Sequence, residues 1–147
     1  MTAATFFRPT LREALPAGWA LPAGDTAAVR LLRLHGVEVR RLGAAWSGPA
    51  SAFVVDSAIA APRAFQGHRE MRVEGRWQPA AERTLPAGTL VVLSSQPLGR
   101  LAFLLLDPRS DDGLATWNAF DDRLRPGAEF PVLRLAGAVP ASARPLD

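Results

Sequence analysis

The clearest pattern in the chain is an alternation of two residue classes between positions 66 and 77. Positions 71, 73 and 77 carry Met, Val and Trp, whereas the even positions from 68 to 76 carry His, Glu or Arg. Successive side chains of a strand point to opposite faces. The segment is therefore predicted to be a half-exposed antiparallel strand with one apolar and one charged face.

Two segments have the spacing of α-helices. Apolar residues recur at helical intervals between Asp25 and Gly36, which predicts a helix over about residues 26–35. Asp25 is the expected N-cap and Gly36 the left-handed C-terminal stop. Pro97 suits the first turn of a second helix, predicted over about residues 97–106.

Short apolar runs predict further strands at residues 19–22, 37–42, 52–56, 90–93 and 130–135. The run at 90–93 is apolar on both faces and so belongs in the middle of a sheet. The order strand, helix, strand over residues 19–42 indicates a crossover between parallel or near-parallel strands. The fold class predicted is α+β, with a mixed, mostly antiparallel sheet of about five to seven strands.

The same patterns divide the chain into three parts. Residues 1–18 form an N-terminal arm, residues 19–135 a single globular α+β domain, and residues 136–147 a mobile Pro/Ala tail. In the arm, Thr10 and Glu13 have the spacing of a capping box, although an extended arm with one turn fits equally well. The expected core contains Val29, Leu32, Val37, Val39, Phe53, Val55, Met71, Val73, Val91, Leu101, Leu105, Val132 and Leu133.

Composition narrows the class of protein. The 147 residues are 48% hydrophobic, carry a net charge of +3 and include no Cys, which fits one folded domain and excludes a disulfide scaffold. The most apolar run, at residues 101–106, is far shorter than the roughly 18 residues that cross a bilayer. The first residues lack the basic head and long apolar core of a signal peptide. We therefore expect no membrane partner.

The high pI does not indicate nucleic-acid binding. It arises because all 17 cationic residues are Arg and the chain has no Lys, Tyr or Cys to titrate near pH 10. A surplus of three positive charges over a whole domain is too weak to attract a phosphate backbone. The chain is therefore expected to have no nucleic-acid partner.

Metal and nucleophile chemistry have little support in the sequence. His68 and Glu70 would share one strand face, but a zinc site needs a third ligand, and His35 lies at a helix end where its charge suits the dipole. Ser94 and Ser95 follow an apolar strand without a nucleophile elbow. The sequence predicts no metal, no cofactor and no catalytic residue.

One group of polar and aromatic side chains is a candidate binding site. Arg100 would clamp a carboxylate, an Asp pair would act as acid and base, and Trp117 would offer an aromatic face beside an amide. In an alternative interpretation, the Asp side chains of this group cap a turn or form ion pairs with Arg123 or Arg125. A calcium site is a further alternative, although the spacing does not fit a calcium loop. The candidate residues are Gln96, Arg100, Asp111, Asp112, Trp117, Asn118 and Asp121.

An ordered series of short motifs resembles a known family. The series includes Phe65-Gln-Gly-His68, Leu85-Pro-Ala-Gly-Thr-Leu-Val-Val92, Gln96-Pro-Leu-Gly-Arg-Leu-Ala102, Thr116-Trp-Asn118 and Phe130-Pro-Val-Leu-Arg134. Over roughly residues 19–135 the chain resembles the region C-terminal to the catalytic domain in bacterial zinc carboxypeptidase-like proteins.

This resemblance implies a non-catalytic accessory or binding domain. Its partner would be a zinc carboxypeptidase-like catalytic domain, on which it docks, or the peptide substrate. The family's zinc ligands belong to the upstream catalytic domain, and His68-Arg-Glu70 has the wrong spacing to replace them, so no catalytic or metal residue transfers. Members of the family are often secreted or periplasmic, although this chain shows no signal peptide.

Two other hypotheses stay open. The chain would be a free-standing small-molecule or peptide binder, or a hydrolytic enzyme, if Arg100, Asp111, Asp112, Trp117 and Asn118 converge around a cleft. It would be an oligomerisation or scaffold module if it exposes an apolar patch larger than a few hundred Å².

Overall fold

The computed structural model describes residues 15–62, 64, 69–110, 113–115, 118–137 and 140–146. The helices are α1 (Thr26–Leu34) and α2 (Gly99–Leu106), and a 3₁₀ turn spans Asp121–Arg123. The strands are β1 (Gly18–Leu21), β2 (Arg40–Leu42), β3 (Trp46–Ser51), β4 (Phe53–Ala60), β5 (Met71–Trp77), β6 (Ala81–Leu85), β7 (Leu90–Leu93), β8 (Leu133–Leu135) and β9 (Ala143–Pro145).

Seven of these strands form one curled sheet in the order β6-β3-β8-β1-β7-β2-β9, and β4 and β5 form a separate two-stranded sheet. The pairings among described residues are antiparallel. β1 and β2 both pair with β7, so they run parallel to each other with β7 between them. The α+β class, the mostly antiparallel sheet and the crossover through α1 are thus confirmed.

The alternation of side chains gives the large sheet two apolar faces. Trp19 and Leu21 of β1 lie on the main core with Leu90 of β7, whereas Ala20 and Val91 lie in a smaller cluster on the other face. The smaller cluster joins residues from β6 and β3 at one end of the sheet to residues from β2 and β9 at the other, so the sheet curls around it. β7 is buried along its whole length, as its sequence predicts.

The main core also takes up both helices and the two-stranded sheet. The apolar face predicted for β5 is confirmed, because Val73 is buried and Arg72 and Glu74 are exposed. The expected core residues all lie in one of the two clusters, with Val29, Met71, Leu101 and Leu133 only partly buried.

Aromatic rings join the two-stranded sheet to the rest of the core. Phe53 of β4 meets the ring of Trp77 edge-on at 5.3 Å and that of Phe130 at 6.1 Å, measured between centroids. Phe130 in turn meets Phe120 at 5.2 Å. Such edge-to-face pairs add about 0.5–1.5 kcal/mol each beyond the area that they bury.

Helix α1 ends as predicted. Gly36 has a φ of +86°, and its N–H donates to the Arg33 carbonyl while the Val37 N–H donates to the Leu32 carbonyl. These two bonds form a Schellman motif, which satisfies the last carbonyls of the helix. His35 supports the same end, because its ring Nδ1 donates to the Leu31 carbonyl over 2.8 Å. The structural role predicted for His35 is thus confirmed.

The start of α1 differs from the prediction. Asp25 occupies the N-cap position, but its side chain makes no capping hydrogen bond. The carboxylate is buried, 7% exposed, and pairs with the Arg123 guanidinium at 2.5 Å. A capping role for the Asp25 side chain is therefore wrong: the charged partner outcompetes the backbone N–H groups.

Several element boundaries also differ. α2 begins at Gly99, because residues 97–98 form the preceding turn, and β2 begins only at Arg40. β8 begins at Leu133, since the Phe130 N–H donates to Phe53 of β4 and Pro131 has no N–H to offer. The strand predicted from residue 66 is β5, and residues 65–68 lie outside the described residues.

Strands of the large sheet lie beyond residues 19–135 at both ends. Ala143–Pro145 forms β9, which pairs with β2, so this part of the expected mobile tail is an edge strand of the sheet. At the other end Gly18 already belongs to β1. Thr10 and Glu13 lie outside the described residues. No helix in the described part of the chain is long and apolar enough to cross a membrane.

Arg134 lies on the main core face of the large sheet, opposite Trp19 of β1. Arg134 of β8 stacks its guanidinium on the Trp77 ring at 4.0 Å and lies 5.7 Å from the Phe103 ring of α2. It also pairs with the Asp107 carboxylate at 3.4 Å. Arg134 therefore connects β8, β5 and the end of α2.

We predict that Arg134→Met lowers the free energy of unfolding by about 2 kcal/mol or more. It removes a desolvated cation–π contact and leaves Asp107 without its guanidinium. The matched control is Arg76→Met on the exposed face of β5, where a change below about 0.5 kcal/mol is expected. Urea unfolding of both variants checks this, and equal effects would contradict it.

A second ion pair ties the edge of the large sheet to the segment beside β4. Arg83 of β6 donates from both terminal nitrogens to the two carboxylate oxygens of Glu129, which forms a bridge with Val54. The hydrogen bonds from Arg83 hold the pKa of Glu129 below its ordinary value. The pair stabilises the fold above pH ~4.3, and this contribution is lost as the pH falls through the lowered pKa.

We predict that Glu129→Gln lowers stability at pH 7 by about 0.2–1 kcal/mol, the range for exposed pairs. The difference from the unmodified chain should shrink at pH 3, because this pH lies below the ordinary pKa of a Glu carboxyl and the pair loses stabilising effect as the pH falls toward the lowered pKa of Glu129. Denaturant titrations at the two pH values measure it, with Glu82→Gln on the same strand as control. A difference that persists unchanged at pH 3 would refute the electrostatic origin.

Candidate functional site

A groove of about 450 Å³ lies between the two-stranded sheet and the segment that follows α2, and we call it the β4–β5 groove. Its walls carry apolar and charged side chains of the strand ends and of the turn after α2. The principal ones are Ile59, Glu70, Met71, Arg72, Glu74 and Arg109.

Local folding explains how these side chains reach the groove. A β-bulge between Val55 and Ser57 shifts the register of β4, after which Ile59 lies opposite Arg72. Ile59 is 64% exposed, which is unusual for an Ile in a strand that begins in the core.

The opposite wall is held by a turn. The Arg109 N–H donates to Asp107 Oδ1 over 2.8 Å, and the Arg109 guanidinium lies 5.9 Å from the Phe53 ring. Since Asp107 also binds Arg134, this wall is connected to the main core. The groove thus has one wall of strand ends and one wall that α2 positions.

The charges in the groove are mixed. Two acidic residues, Glu70 and Glu74, and two basic residues, Arg72 and Arg109, line the groove together with the apolar residues Ile59 and Met71. Such a surface offers hydrogen bonds and charge pairs of both signs beside an apolar patch.

Two of the candidate residues from the sequence lie together beside this groove. The Asn118 side-chain amide donates to Asp121 Oδ2 and to the Arg69 carbonyl, both over 2.9 Å. Arg69 immediately precedes Glu70, so Asn118 holds the start of β5 against the 3₁₀ turn. Asn118 also has a left-handed backbone, with a φ of +76°.

Gln96 forms hydrogen bonds in another part of the fold. Its side chain accepts the Glu38 N–H and donates to the carbonyls of Glu38 and Leu93, at 2.8–3.0 Å. It thereby fastens the segment before β2 to the end of β7. Arg100 is exposed in the first turn of α2. Asp111, Asp112 and Trp117 lie outside the described residues, so their convergence with these groups stays a prediction.

The ion pairs expected between Asp side chains and Arg123 are confirmed in part. Arg123 contacts Asp122 at 3.6 Å as well as the buried Asp25, and its guanidinium lies 5.4 Å from the Phe120 ring. The hydrogen bond to Asp25 raises the pKa of Arg123 above its ordinary value. The residue therefore joins the 3₁₀ turn to the start of α1.

The described residues contain no group of three or more His, Cys, Asp or Glu side chains placed to hold a metal ion. Ser94 donates its hydroxyl to the Ala17 carbonyl over 3.1 Å. His68 lies outside the described residues.

Sequence reasoning missed the β4–β5 groove. Ile59 and Arg109 are remote in the chain and carry no motif. The one local signal is the run of small and apolar residues that continues after the predicted strand at 52–56, because it extends β4 beyond the point where the core ends.

Comparison with known proteins shows a weak similarity that covers only part of each relative. The chain is 27% identical over 127 residues to Carboxypeptidase 2 of Trichophyton rubrum and 27% identical over 125 residues to that of Trichophyton equinum. These matches cover 86% and 85% of this chain but only 23% of each relative. No protein-family model matches the chain, and no solved structure matches it at a significant level.

The chain therefore shows weak homology to one region of a carboxypeptidase and spans about a quarter of the length of the curated relatives that it matches. The relatives are fungal, whereas the resemblance inferred from motifs pointed to bacterial proteins.

We predict that Asn118→Ala destabilises the fold by about 2 kcal/mol and Asn118→Gly by about 1 kcal/mol. Both variants lose the amide hydrogen bonds, but only Ala also disfavours the left-handed backbone. Urea unfolding of the two variants measures the difference. If Gly is no better tolerated than Ala, the backbone conformation at position 118 contributes nothing.

Proposed function

We propose that this chain is a non-catalytic accessory domain of a zinc carboxypeptidase-like protein and that it binds peptide substrate in the β4–β5 groove. The observation that carries the proposal is the match of almost the whole chain to a region that makes up 23% of Carboxypeptidase 2. A region of this size is large enough to be a domain beside a separate catalytic domain.

The polar side chains of the candidate site form hydrogen bonds within the fold, which supports a non-catalytic role. Gln96 and Asn118 bind backbone carbonyls, and Asp121 accepts the Asn118 amide. Each of these contacts connects two segments of the fold. A general acid or base needs instead to lie within hydrogen-bond reach of a reacting atom.

The chemistry of the groove supports a peptide as the occupant. An extended peptide presents side chains alternately to two sides, at about 3.3 Å per residue. Ile59 provides apolar contact, while Glu70 and Arg72, on the same face of the two-stranded sheet, provide partners for charged side chains and for the peptide backbone. The volume of about 450 Å³ lies in the range of ligand pockets and fits part of a short peptide.

We predict that the full chain binds a fluorescein-labelled octapeptide in which Leu alternates with Lys and Glu. A dissociation constant of about 1–100 μM is expected, as for small, transient contacts. Ile59→Asp should weaken binding by about tenfold or more, because it puts a carboxylate on the apolar wall. Fluorescence anisotropy gives both constants.

The control is Leu34→Asp, which places the same charge on a residue that is 78% exposed at the end of α1. It should leave binding unchanged. Mass spectrometry of the peptide incubated with the chain and Zn²⁺ should show an intact C-terminus. Chelator-sensitive shortening of the peptide would overturn the non-catalytic assignment and favour the hydrolytic enzyme.

Two further results would overturn the proposal that the β4–β5 groove binds peptide. The first is equal binding by the unmodified chain and Ile59→Asp. The second is no peptide binding together with a stable complex, by size-exclusion chromatography, between the chain and T. rubrum Carboxypeptidase 2 that lacks the matched region. That result would mean docking on the peptidase instead.

A further inference from the structure

A second groove, of about 360 Å³, lies between α1 and the large sheet, and three arginines line it. We call it the arginine groove. Arg30 and Arg33 come from α1, Arg41 comes from β2, and Ala23 and Val29 provide apolar surface, with Thr26 at the start of the helix.

Local geometry brings the positive charges to one place. Arg30 and Arg33 are three residues apart in a helix, so they lie on the same face. Arg41 reaches the groove from the neighbouring strand, where its Nη1 donates to the Gly88 carbonyl over 3.3 Å. That bond orients the guanidinium, which has further N–H donors to offer.

The carboxylates of Asp25 and Glu38 pair with arginines other than Arg30 and Arg41. Asp25 is buried against Arg123, and Glu38 pairs with Arg40 at 3.0 Å. None of the ion pairs formed within the described residues involves Arg30 or Arg41. Arg33 has an interaction of its own, so the inference rests on the other two arginines.

Like charges around one groove repel each other unless an anion enters. The apolar surface from Ala23 and Val29 favours an organic ligand over a free inorganic ion, because an apolar body gains by leaving water. A guanidinium group presents a planar fork that matches the two oxygens of a carboxylate.

From this arrangement we infer that the arginine groove binds a small amphipathic carboxylate, with Arg30 and Arg41 holding the charged head and Ala23 and Val29 contacting the apolar body. The inference does not depend on the proposed function, since it concerns another groove and other residues.

The test is isothermal titration of the full chain with three probes. N-acetyl-L-leucine carries the carboxylate and an apolar side chain, N-acetyl-L-leucinamide lacks the charge, and inorganic phosphate lacks the apolar body. We expect the carboxylate to bind with a dissociation constant of about 1 mM or below, and the other two probes to bind at least about tenfold more weakly.

The variants Arg30→Gln and Arg41→Gln should each weaken binding of N-acetyl-L-leucine by about fivefold or more, whereas Arg125→Gln, at an exposed position outside the groove, should not. Arg30 is exposed and its replacement leaves the fold intact, which circular dichroism verifies.

Three results would overturn the inference. Equal affinity for the acid and the amide would mean that charge plays no part. Phosphate binding as tight as N-acetyl-L-leucine would mean a simple anion site. No binding of the acid at about 20 mM, or binding that both Gln variants leave unchanged, would remove the groove as its site.

Discussion

The stacking of one guanidinium group on an aromatic ring helps to hold the two-stranded sheet against the rest of the fold. A two-stranded sheet is marginal in isolation and needs another surface to pack against. Arg134 provides part of that surface, since it stacks on Trp77 of β5, lies near Phe103 of α2 and pairs with Asp107 at the end of that helix. Its planar, weakly hydrated group can lie flat on an aromatic ring where an ammonium group would stay in water.

This arrangement has a cost and a functional consequence. The buried Trp77 indole N–H has no acceptor among the described residues, which typically costs about 1–3 kcal/mol. The stacked guanidinium and the neighbouring Phe53 ring offset it. Arg134 thus contacts β5, which lines one side of the β4–β5 groove, and Asp107, which accepts the N–H of Arg109 on the other side.

Local patterns predict the elements well but not their partners. The helical spacing of α1, the alternation in β5 and the doubly apolar β7 are properties of adjacent residues, and all three are confirmed. The local pattern predicts that the Asp25 side chain caps α1. It cannot show the ion pair with Arg123, because Arg123 lies far away in the chain. The patterns miss β3, β6 and β9. The short Pro/Ala segment of β9 shows no strand pattern until β2 pairs with it. In the candidate site, the structure brings together Asn118 and Asp121, which are close in sequence, whereas Gln96 binds Glu38.

The net charge of this chain does not predict the charge of its ligand grooves, because the fold distributes positive and negative side chains unevenly over the surface. The +3 surplus argues against a charged binding surface. Folding, however, pairs Asp25, Glu38, Asp107, Asp122 and Glu129 with particular arginines. Cationic side chains are then concentrated in the arginine groove, while the β4–β5 groove keeps charges of both signs. A domain built in this way presents two chemically different grooves on different elements, so a ligand of one does not compete for the residues of the other.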